Sequence, residues 1–319
     1  MHSWQKNSTK TLKQHLMRAN RFGGGIVGVA LLLGLSFSEL SAAADSTTTG
    51  WKKSLMVDIT TTQTSYSDSW VGGEAGSFNW VGNLNGFAEK KVTDWIEFKS
   101  TLKLSFGQTL TQDEESKQWS KPRKSTDLID WENVARFTVG WFVDPYAAFR
   151  TETQFFDGSV REKRRYFSPL KLTESAGFAR KIYEKDKDFV TSRLGLGIRQ
   201  IFKTAIIDTA NLITDDSTLV DGGLESVTDV SLTLSEKLAY TGKLTLYKAF
   251  YFSGKDDVKG TEFEDDWKAV DVNWENIISA ALSKIVTVNL YTQLLYDKEV
   301  SRRGRFKETL AIGFVFKML

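Results

Sequence analysis

The last fifteen residues of the chain, 305–319, alternate between two kinds of side chain. The even-numbered positions are apolar except for Glu308, whereas the odd-numbered positions from Arg305 to Lys317 are small, polar or basic. A period of two is that of a β-strand with two unlike faces. About 9 to 11 tilted residues suffice to cross a hydrocarbon layer, so this strand is long enough to span a membrane. Because an unpaired backbone group in lipid costs several kcal/mol, such a strand must belong to a closed barrel.

The same alternation recurs along the rest of the chain. It is clearest over residues 95–107, where Phe98 and Leu102 alternate with Glu97 and Lys103. Taken together, the pattern predicts an all-β fold, a transmembrane antiparallel up-and-down barrel of about twelve strands. The predicted strands are 53–61, 77–88, 95–107, 127–141, 146–156, 170–182, 189–202, 224–239, 243–252, 269–282, 286–297 and 305–319.

The predicted connections fall into two classes. Those after the odd-numbered strands are mostly long and polar, the longest being 203–223, and those after the even-numbered strands have about two to six residues. This alternation is typical of an outer-membrane barrel with long loops outside, short turns in the periplasm and both termini periplasmic. Aromatic side chains near strand ends are expected to form interface girdles, with Trp95, Trp141, Tyr146, Tyr183 and Tyr240 on the periplasmic side and Trp70, Phe155 and Phe252 on the outer side.

The first 44 residues have the pattern of a secretory signal. Basic residues precede a continuous apolar run over 26–37, and Ala42, Ala43 and Ala44 come before Asp45. The run is too short for a membrane-spanning helix. We therefore expect a cleaved signal peptide at 1–44 and a barrel domain at 45–319. The true start is either Met1 or Met17, since Met17 would begin a signal of ordinary length.

The chain has no cysteine, and its two histidines, His2 and His15, lie in the segment expected to be removed. A mature chain without either residue type has no Cys/His metal site and no nucleophile that depends on a histidine base. We therefore expect no catalytic residue, no metal site and no cofactor, and the chain is not expected to be an enzyme. Cleavage removes five basic residues and one acidic residue from totals of 42 and 40, which leaves a net charge of about −2. Such a charge does not indicate a nucleic-acid partner.

Several short segments resemble an uncharacterised family of outer-membrane barrels, domain of unknown function 3078. The longest of them is QTSYSDSWVGGE over 63–74, and the others are KSTD at 124–127, TQF at 153–155 with Gly158, FSP at 167–169, Tyr296-Asp297 and FKE at 306–308. The resemblance covers essentially all of 51–319. It implies the barrel fold and an outer-membrane location, and the family has no established activity to carry over.

Both signs of charge occur on the faces predicted to point inward. We expect these residues to line the lumen: Glu97, Lys99, Lys103, Asp130, Glu132, Arg136, Arg150, Glu152, Arg193, Arg199, Asp271, Glu275, Arg305 and Lys307. In a twelve-stranded barrel the lumen is narrow, so these rows either line a small-solute passage or pair with one another and fill it. The first reading predicts a narrow channel. The alternative is a non-conducting structural or surface-interaction barrel.

The expected partners are outer-membrane lipid and lipopolysaccharide, together with small solutes if the lumen is open. The C-terminus resembles the assembly signal of bacterial outer-membrane barrels, with Gly313 three residues before Phe316 and an apolar Met318. It departs from that signal by ending on Leu319, where an aromatic residue is usual. We therefore expect contact with the barrel-assembly machinery through Gly313, Phe316 and Met318.

Overall fold

The computed structural model of this chain describes residues 50–64, 75–160, 162–283 and 286–317. The signal peptide expected at 1–44 and the predicted contact of Met318 lie outside these ranges. So does Trp70, which was expected in the outer girdle. No helix in the described part of the chain is long and apolar enough to cross a membrane.

Twelve antiparallel strands close into one barrel, which confirms the predicted fold class. The barrel strands are β1 Lys52–Thr64, β2 Ser77–Thr93, β3 Ile96–Thr111, β4 Arg123–Phe137, β5 Asp144–Thr153, β8 Leu170–Lys185, β9 Asp188–Asp208, β10 Ile213–Ser235, β11 Leu238–Phe252, β12 Val270–Ala281, β13 Val286–Asp297 and β14 Ser301–Lys317. A short hairpin of β6 (Phe156–Asp157) and β7 (Arg165–Tyr166) is inserted between β5 and β8. Going round the barrel, the strands follow the order β1-β14-β13-β12-β11-β10-β9-β8-β5-β4-β3-β2. Every neighbour in this ring is therefore also a neighbour along the chain, apart from the closing pair β1 and β14 and the pair β5 and β8, which the hairpin separates in sequence.

The barrel has an apolar outer face because side chains alternate along each strand. On β9, for example, Leu194 and Leu196 are 52% and 68% exposed, while their neighbours Arg193 and Gly195 are buried. Exposed apolar side chains on the same outer face recur on the other strands, among them Phe178, Trp274, Phe306 and Leu310. Most of the large apolar side chains on the barrel strands thus point away from the barrel interior.

The connections at the two ends of the barrel differ, but less regularly than the sequence predicts. The start of β1 at Lys52 and the end of β14 at Lys317 both lie at the end of the barrel that carries the short turns. At the other end, the connections 112–122, 154–169 and 253–269 are long, whereas 209–212 and 298–300 are short. The prediction of a long loop at 203–223 is wrong, because β9 and β10 continue as a paired hairpin from Asp208 opposite Ile213.

The turn between β10 and β11 also differs from the prediction. Expected at 240–242, it lies at 236–237, where Ser235 is opposite Leu238. Tyr240 is a strand residue, and its hydroxyl donates to Asn276 Oδ1 at 2.7 Å. Charged and turn-forming residues are common on both sides of this hairpin, so composition alone did not locate its tip.

The barrel closes through a short seam. β14 pairs with β13 along its length, but with β1 only from Met56 opposite Lys317 to Thr60 opposite Gly313. Within the described ranges, residues 301–312 of β14 have no partner on β1. Both faces of β14 are consequently exposed over most of that segment.

Smaller elements cover the loop end. The hairpin consists of β6 (Phe156–Asp157) and β7 (Arg165–Tyr166), and the β11–β12 connection contains helix α1 (Lys255–Val258) and a 3-10 turn at Asp266–Lys268. Asp266 is 4% exposed and binds Lys298 at 3.0 Å, which fastens the β11–β12 connection to the β13–β14 connection.

Two aromatic residues expected in the interface girdles lie inside the barrel instead. Tyr146 is 3% exposed and Phe252 is 6% exposed, whereas Trp95, Trp141 and Tyr183 are exposed. Phe252 is opposite Asp221 on β10 and packs against Trp267 with ring centroids 6.0 Å apart. The prediction considered only nearness to strand ends, while the parity of each strand decides which face an aromatic side chain occupies.

Candidate functional site: the interior of the barrel

Ion pairs cross the interior between strands that are not neighbours. Lys243 Nζ on β11 lies 2.6 Å from Glu132 Oε2 on β4, and four strands separate β11 from β4 around the ring. The guanidinium of Arg193 on β9 binds the other oxygen of the same carboxylate. All three side chains are largely buried, so Glu132 anchors two opposing walls in the middle of the lumen.

A second ion pair also joins strands that are not neighbours, on the other side of the ring. Lys103 Nζ on β3 lies 3.3 Å from Glu275 Oε2 on β12, with β2, β1, β14 and β13 between them. Glu275 also accepts a hydrogen bond at 3.1 Å from Asn273, which in turn accepts one at 3.0 Å from Gln293 on β13. This chain of polar contacts divides the lumen along a line from β3 to β13.

Further ion pairs fill the β4–β8 side of this line. Arg150 on β5 donates from Nε and Nη2 to the two oxygens of Asp130, at 2.8 and 2.9 Å. The same guanidinium lies 3.1 Å from Glu152, which also binds Lys171 at 3.0 Å. A forked contact of this kind holds both partners in one geometry.

Another cluster lies around Arg199 on β9. Its guanidinium binds Asp221 on β10 at 2.8 Å and Asp271 on β12 at 2.7 Å. It also lies 3.7 Å from the ring centroid of Tyr247, whose hydroxyl donates to Gly197 O at 3.2 Å. Four strands are thereby tied together by one cation and one aromatic ring.

Glycine on β9 lets a second tyrosine approach the wall. A Cβ added to Gly195 would lie 2.6 Å from Tyr146 Oη and 2.3 Å from Ala176 O. Such distances leave no space for a side chain, so the Tyr146 hydroxyl occupies the room that glycine provides.

The buried side chains divide the interior into two halves. Apart from glycines, every buried barrel residue of the described chain lies on β4, β5, β8, β9, β10 or β11. We call these six strands the packed half. The other six, β12, β13, β14, β1, β2 and β3, form the accessible half, where the inward residue Asn85 is exposed even though β2 is paired there on both sides, with Met56 and Lys103.

The remaining residues predicted to line the lumen have these positions. Glu97 binds Arg136, and Lys99 Nζ lies 5.0 Å from the ring of Phe189 on β9. Arg305 and Lys307 are exposed and share a face with Gln293, which is opposite Lys307 and bonded to the lumen residue Asn273. Within the described ranges, neither Arg305 nor Lys307 forms an ion pair.

Sequence reasoning missed several interior residues. Asp221 lies in the segment predicted as the loop 203–223, and Glu225, Lys243 and Tyr247 lie on the two strands beside the misplaced turn. The buried residues of β10 occupy odd-numbered positions, among them Asp221, Glu225 and Val227, so an alternation followed along the whole of Ile213–Ser235 would have placed them on one face.

Solved structures of similar shape are outer-membrane barrels. The translocator domain of the autotransporter NalP from Neisseria meningitidis has a TM-score of 0.37 and 10% identity, covering 85% of this chain and 90% of that one. The COG4313 outer membrane channel from Pseudomonas putida F1 has a TM-score of 0.39 and 11% identity, with coverage of 83% and 94%. The NanC porin has a TM-score of 0.34 and 10% identity, covering 83% of this chain and 100% of that one. Scores at this level carry no information on what this chain binds or transports.

The family comparison concerns the first third of the barrel. Residues 61–158 match the family described as a protein of unknown function, DUF3078. The match confirms the family expected from the sequence, over the segment from β1 to β6. The motifs at 167–169, 296–297 and 306–308 lie beyond the matched residues. No curated protein sequence matches the chain at a significant level.

Proposed function

We propose that the protein is an outer-membrane barrel of a diderm bacterium and forms a narrow channel for small solutes through the accessible half. The observation that carries this proposal is the unequal filling of the lumen. Buried ion pairs occupy the packed half, while the inward residue Asn85 of the accessible half remains exposed on a strand that is paired on both sides. The proposal includes no enzymatic step and no cofactor.

The outward apolar face supports the membrane location. Leucine, isoleucine and aromatic side chains exposed on most barrel strands would contact lipid, while the charged network stays inside. The ends at Lys52 and Lys317 would be periplasmic, since the short turns lie at that end. Assembly would use Gly313, Phe316 and Met318, and the outer loops would meet lipopolysaccharide.

The wall of the proposed path carries a positive charge. Arg305 and Lys307 lie on it without an ion pair in the described chain, whereas the carboxylate of Asp58 accepts a hydrogen bond from Asn83 at 2.6 Å. Fixed charges on a narrow wall set the sign of the preferred ion. We therefore expect a preference for anions.

Single-channel recording tests the proposal. Refolded protein comprising residues 45–319 should give discrete conductance steps in a planar bilayer, with a reversal potential in a salt gradient that indicates anion preference. Lys307→Glu should move that potential toward cations. The matched control is Glu308→Lys, which changes a charge by the same amount on the outward face and should leave selectivity unchanged.

A second candidate function is a non-conducting structural or surface-interaction barrel. The crossing ion pairs Lys243–Glu132 and Lys103–Glu275 favour it, because they join opposite walls of the lumen. Silence from protein shown to be folded and inserted would contradict the channel and support this candidate. The outer connections would then be the surfaces that contact envelope polymers.

A further inference from the structure

A cavity lies inside the barrel on the turn side of Glu132. Its volume is about 110 Å³, and strands β3, β4, β8, β9 and β10 all contribute to its lining. A second cavity of about 270 Å³ lies nearer the turn end and shares Glu89, Glu97, Arg136 and Lys181 with the first. We call the two together the vestibule. Because they share lining residues and the second includes Gly50 and Asp94, the vestibule is accessible from the turn end of the barrel.

One wall of the vestibule presents a cation whose expected partner is occupied. Lys99 on β3 is opposite Glu89 on β2, but the carboxylate of Glu89 lies 3.6 Å from Lys52 instead. The ammonium of Lys99 faces aromatic rings, at 5.0 Å from Phe189 and 5.7 Å from Phe87. In the described chain it has no carboxylate within ion-pair distance.

The wall across the vestibule presents a carboxylate in the same situation. Asp229 on β10 is opposite Lys243 on β11, but Lys243 extends across the lumen to Glu132 at 2.6 Å. Within the described ranges, Asp229 forms neither an ion pair nor a hydrogen bond, and the cation with which it interacts at longer range, Arg193 on β9, is already bound to Glu132. Both Lys99 and Asp229 line the 110 Å³ cavity, and four strands separate β3 from β10 around the ring.

We propose that the vestibule binds a small zwitterion of the amino-acid class, with its carboxylate toward Lys99 and its ammonium toward Asp229. A half-buried charge gains most from a partner that also donates or accepts a hydrogen bond. A zwitterion supplies both partners at once, whereas a simple anion or cation satisfies only one wall. The cavity volume approaches that of an engineered cavity that takes up benzene, ~150 Å³, so one small molecule fits. This inference does not depend on conduction, because the vestibule ends at the Glu132 ion pairs.

Binding can be measured by calorimetry on the refolded protein in detergent micelles, with far-UV circular dichroism to verify the fold. The probes are glycine, β-alanine and γ-aminobutyrate, which carry the same two charges at increasing separation, and a dipeptide, glycylglycine. Butyrate and butylammonium supply one charge each. At least one zwitterion should bind saturably, and about tenfold more tightly than either single-charge probe. The rank order of the probes distinguishes a single amino acid from a short peptide.

Variants assign the two walls. Lys99→Met and Asp229→Asn should each weaken zwitterion binding by about tenfold or more, while Lys99→Arg retains it. The matched control is Lys171→Met, because the ammonium of Lys171 is paired with Glu152 at 3.0 Å and lines neither cavity of the vestibule. Its affinity should equal that of the unchanged protein.

Three results would overturn the inference. The first is an absence of saturable binding by every zwitterion to folded protein. The second is butyrate or butylammonium binding as tightly as the zwitterions, which would reduce the vestibule to a site for a single charge. The third is unchanged affinity in folded Lys99→Met and Asp229→Asn. Since the first two results use only the unchanged protein, a variant that fails to fold does not remove the test.

Discussion

Lys243 and Glu132 meet 2.6 Å apart in the centre of the barrel, although they are separated by 111 positions along the chain and by four strands around the ring. Both side chains are about nine-tenths buried, and Arg193 completes the site as the second cation on the same carboxylate. The interior is therefore organised by charge as well as by packing, and its parts can be tested separately.

Removing one cation from Glu132 should destabilise the barrel. In Lys243→Met the buried carboxylate keeps Arg193 but loses a charged hydrogen bond, so we expect a loss of about 2 kcal/mol in the free energy of unfolding. Urea unfolding in lipid vesicles measures this. The loss in the double variant with Glu132→Gln should be smaller than the sum of the two single losses, because both changes remove the same Lys243–Glu132 contact. Lys268→Met serves as the control, because the Lys268–Asp265 ion pair is exposed. Its free energy of unfolding should show no measurable change.

Shortening the side chain that divides the lumen should widen the proposed path. Lys103→Ala removes the ion pair with Glu275, and we expect a larger single-channel conductance than in the unchanged protein. Lys171→Ala removes a similar pair with Glu152 inside the packed half and should leave the conductance unchanged. Equal conductance in all three proteins would place the path elsewhere.

A methyl group at Gly195 should disturb the packed half. The added Cβ would lie within 2.6 Å of Tyr146 Oη and 2.3 Å of a backbone oxygen, and overpacking of this kind costs about 2 kcal/mol or more. Gly82→Ala is the matched control, because its nearest neighbours are 3.9 and 4.0 Å from the new atom. Thermal unfolding of the two variants should differ clearly, and similar midpoints would contradict the close contact.

The free-energy cost of a charged side chain on the outer face should depend on its depth in the membrane. Leu196 is 68% exposed near the middle of β9, so Leu196→Arg should cost about 2 to 4 kcal/mol of folding free energy in vesicles. Val300 is similarly exposed, at 64%, but lies in the β13–β14 connection, so Val300→Arg should cost little. Equal tolerance of both changes would contradict a lipid-facing β9.

One carboxyl group at the loop end should titrate near neutrality. Desolvation at the rim raises the pKa of Glu299 from 4.5 to about 7, and the carboxylates of Asp297 and Asp271 add to the rise. The pKa of Glu299 is higher in the folded state than in the unfolded state. The contribution of Glu299 to the free energy of unfolding is therefore fully present below pH 4.5 and is lost as pH rises through about 7. The side chain is exposed, so this effect on stability is small.

Carboxyl-carbon NMR of labelled glutamate measures the pKa of Glu299 by titration. The midpoint should lie near pH 7 in the unchanged protein and move lower in Asp297→Asn, which removes a neighbouring negative charge. A midpoint near the ordinary glutamate value, or one that Asp297→Asn leaves in place, would show that Glu299 points away from the mouth.

The amino-acid sequence by itself determined the class of fold and the number of barrel strands, and it predicted a face for the residues of each strand. These properties are local: alternation with a period of two assigns a face to each residue regardless of what lies opposite. The same reasoning failed where local signals were ambiguous, at the β10–β11 turn and at Tyr146 and Phe252.

Only the tertiary structure decided which inward charges meet and which half of the lumen they fill. Lys103 and Glu275 are 172 positions apart, and their contact depends on the closure and stagger of all twelve strands. That closure draws Lys243 to Glu132 and away from its neighbour Asp229, and so leaves Asp229 without an ion pair, in the described chain, on the lining of the cavity that Lys99 also lines. No period in the sequence encodes such a choice, because a long side chain selects its partner from everything that the closed barrel brings within reach.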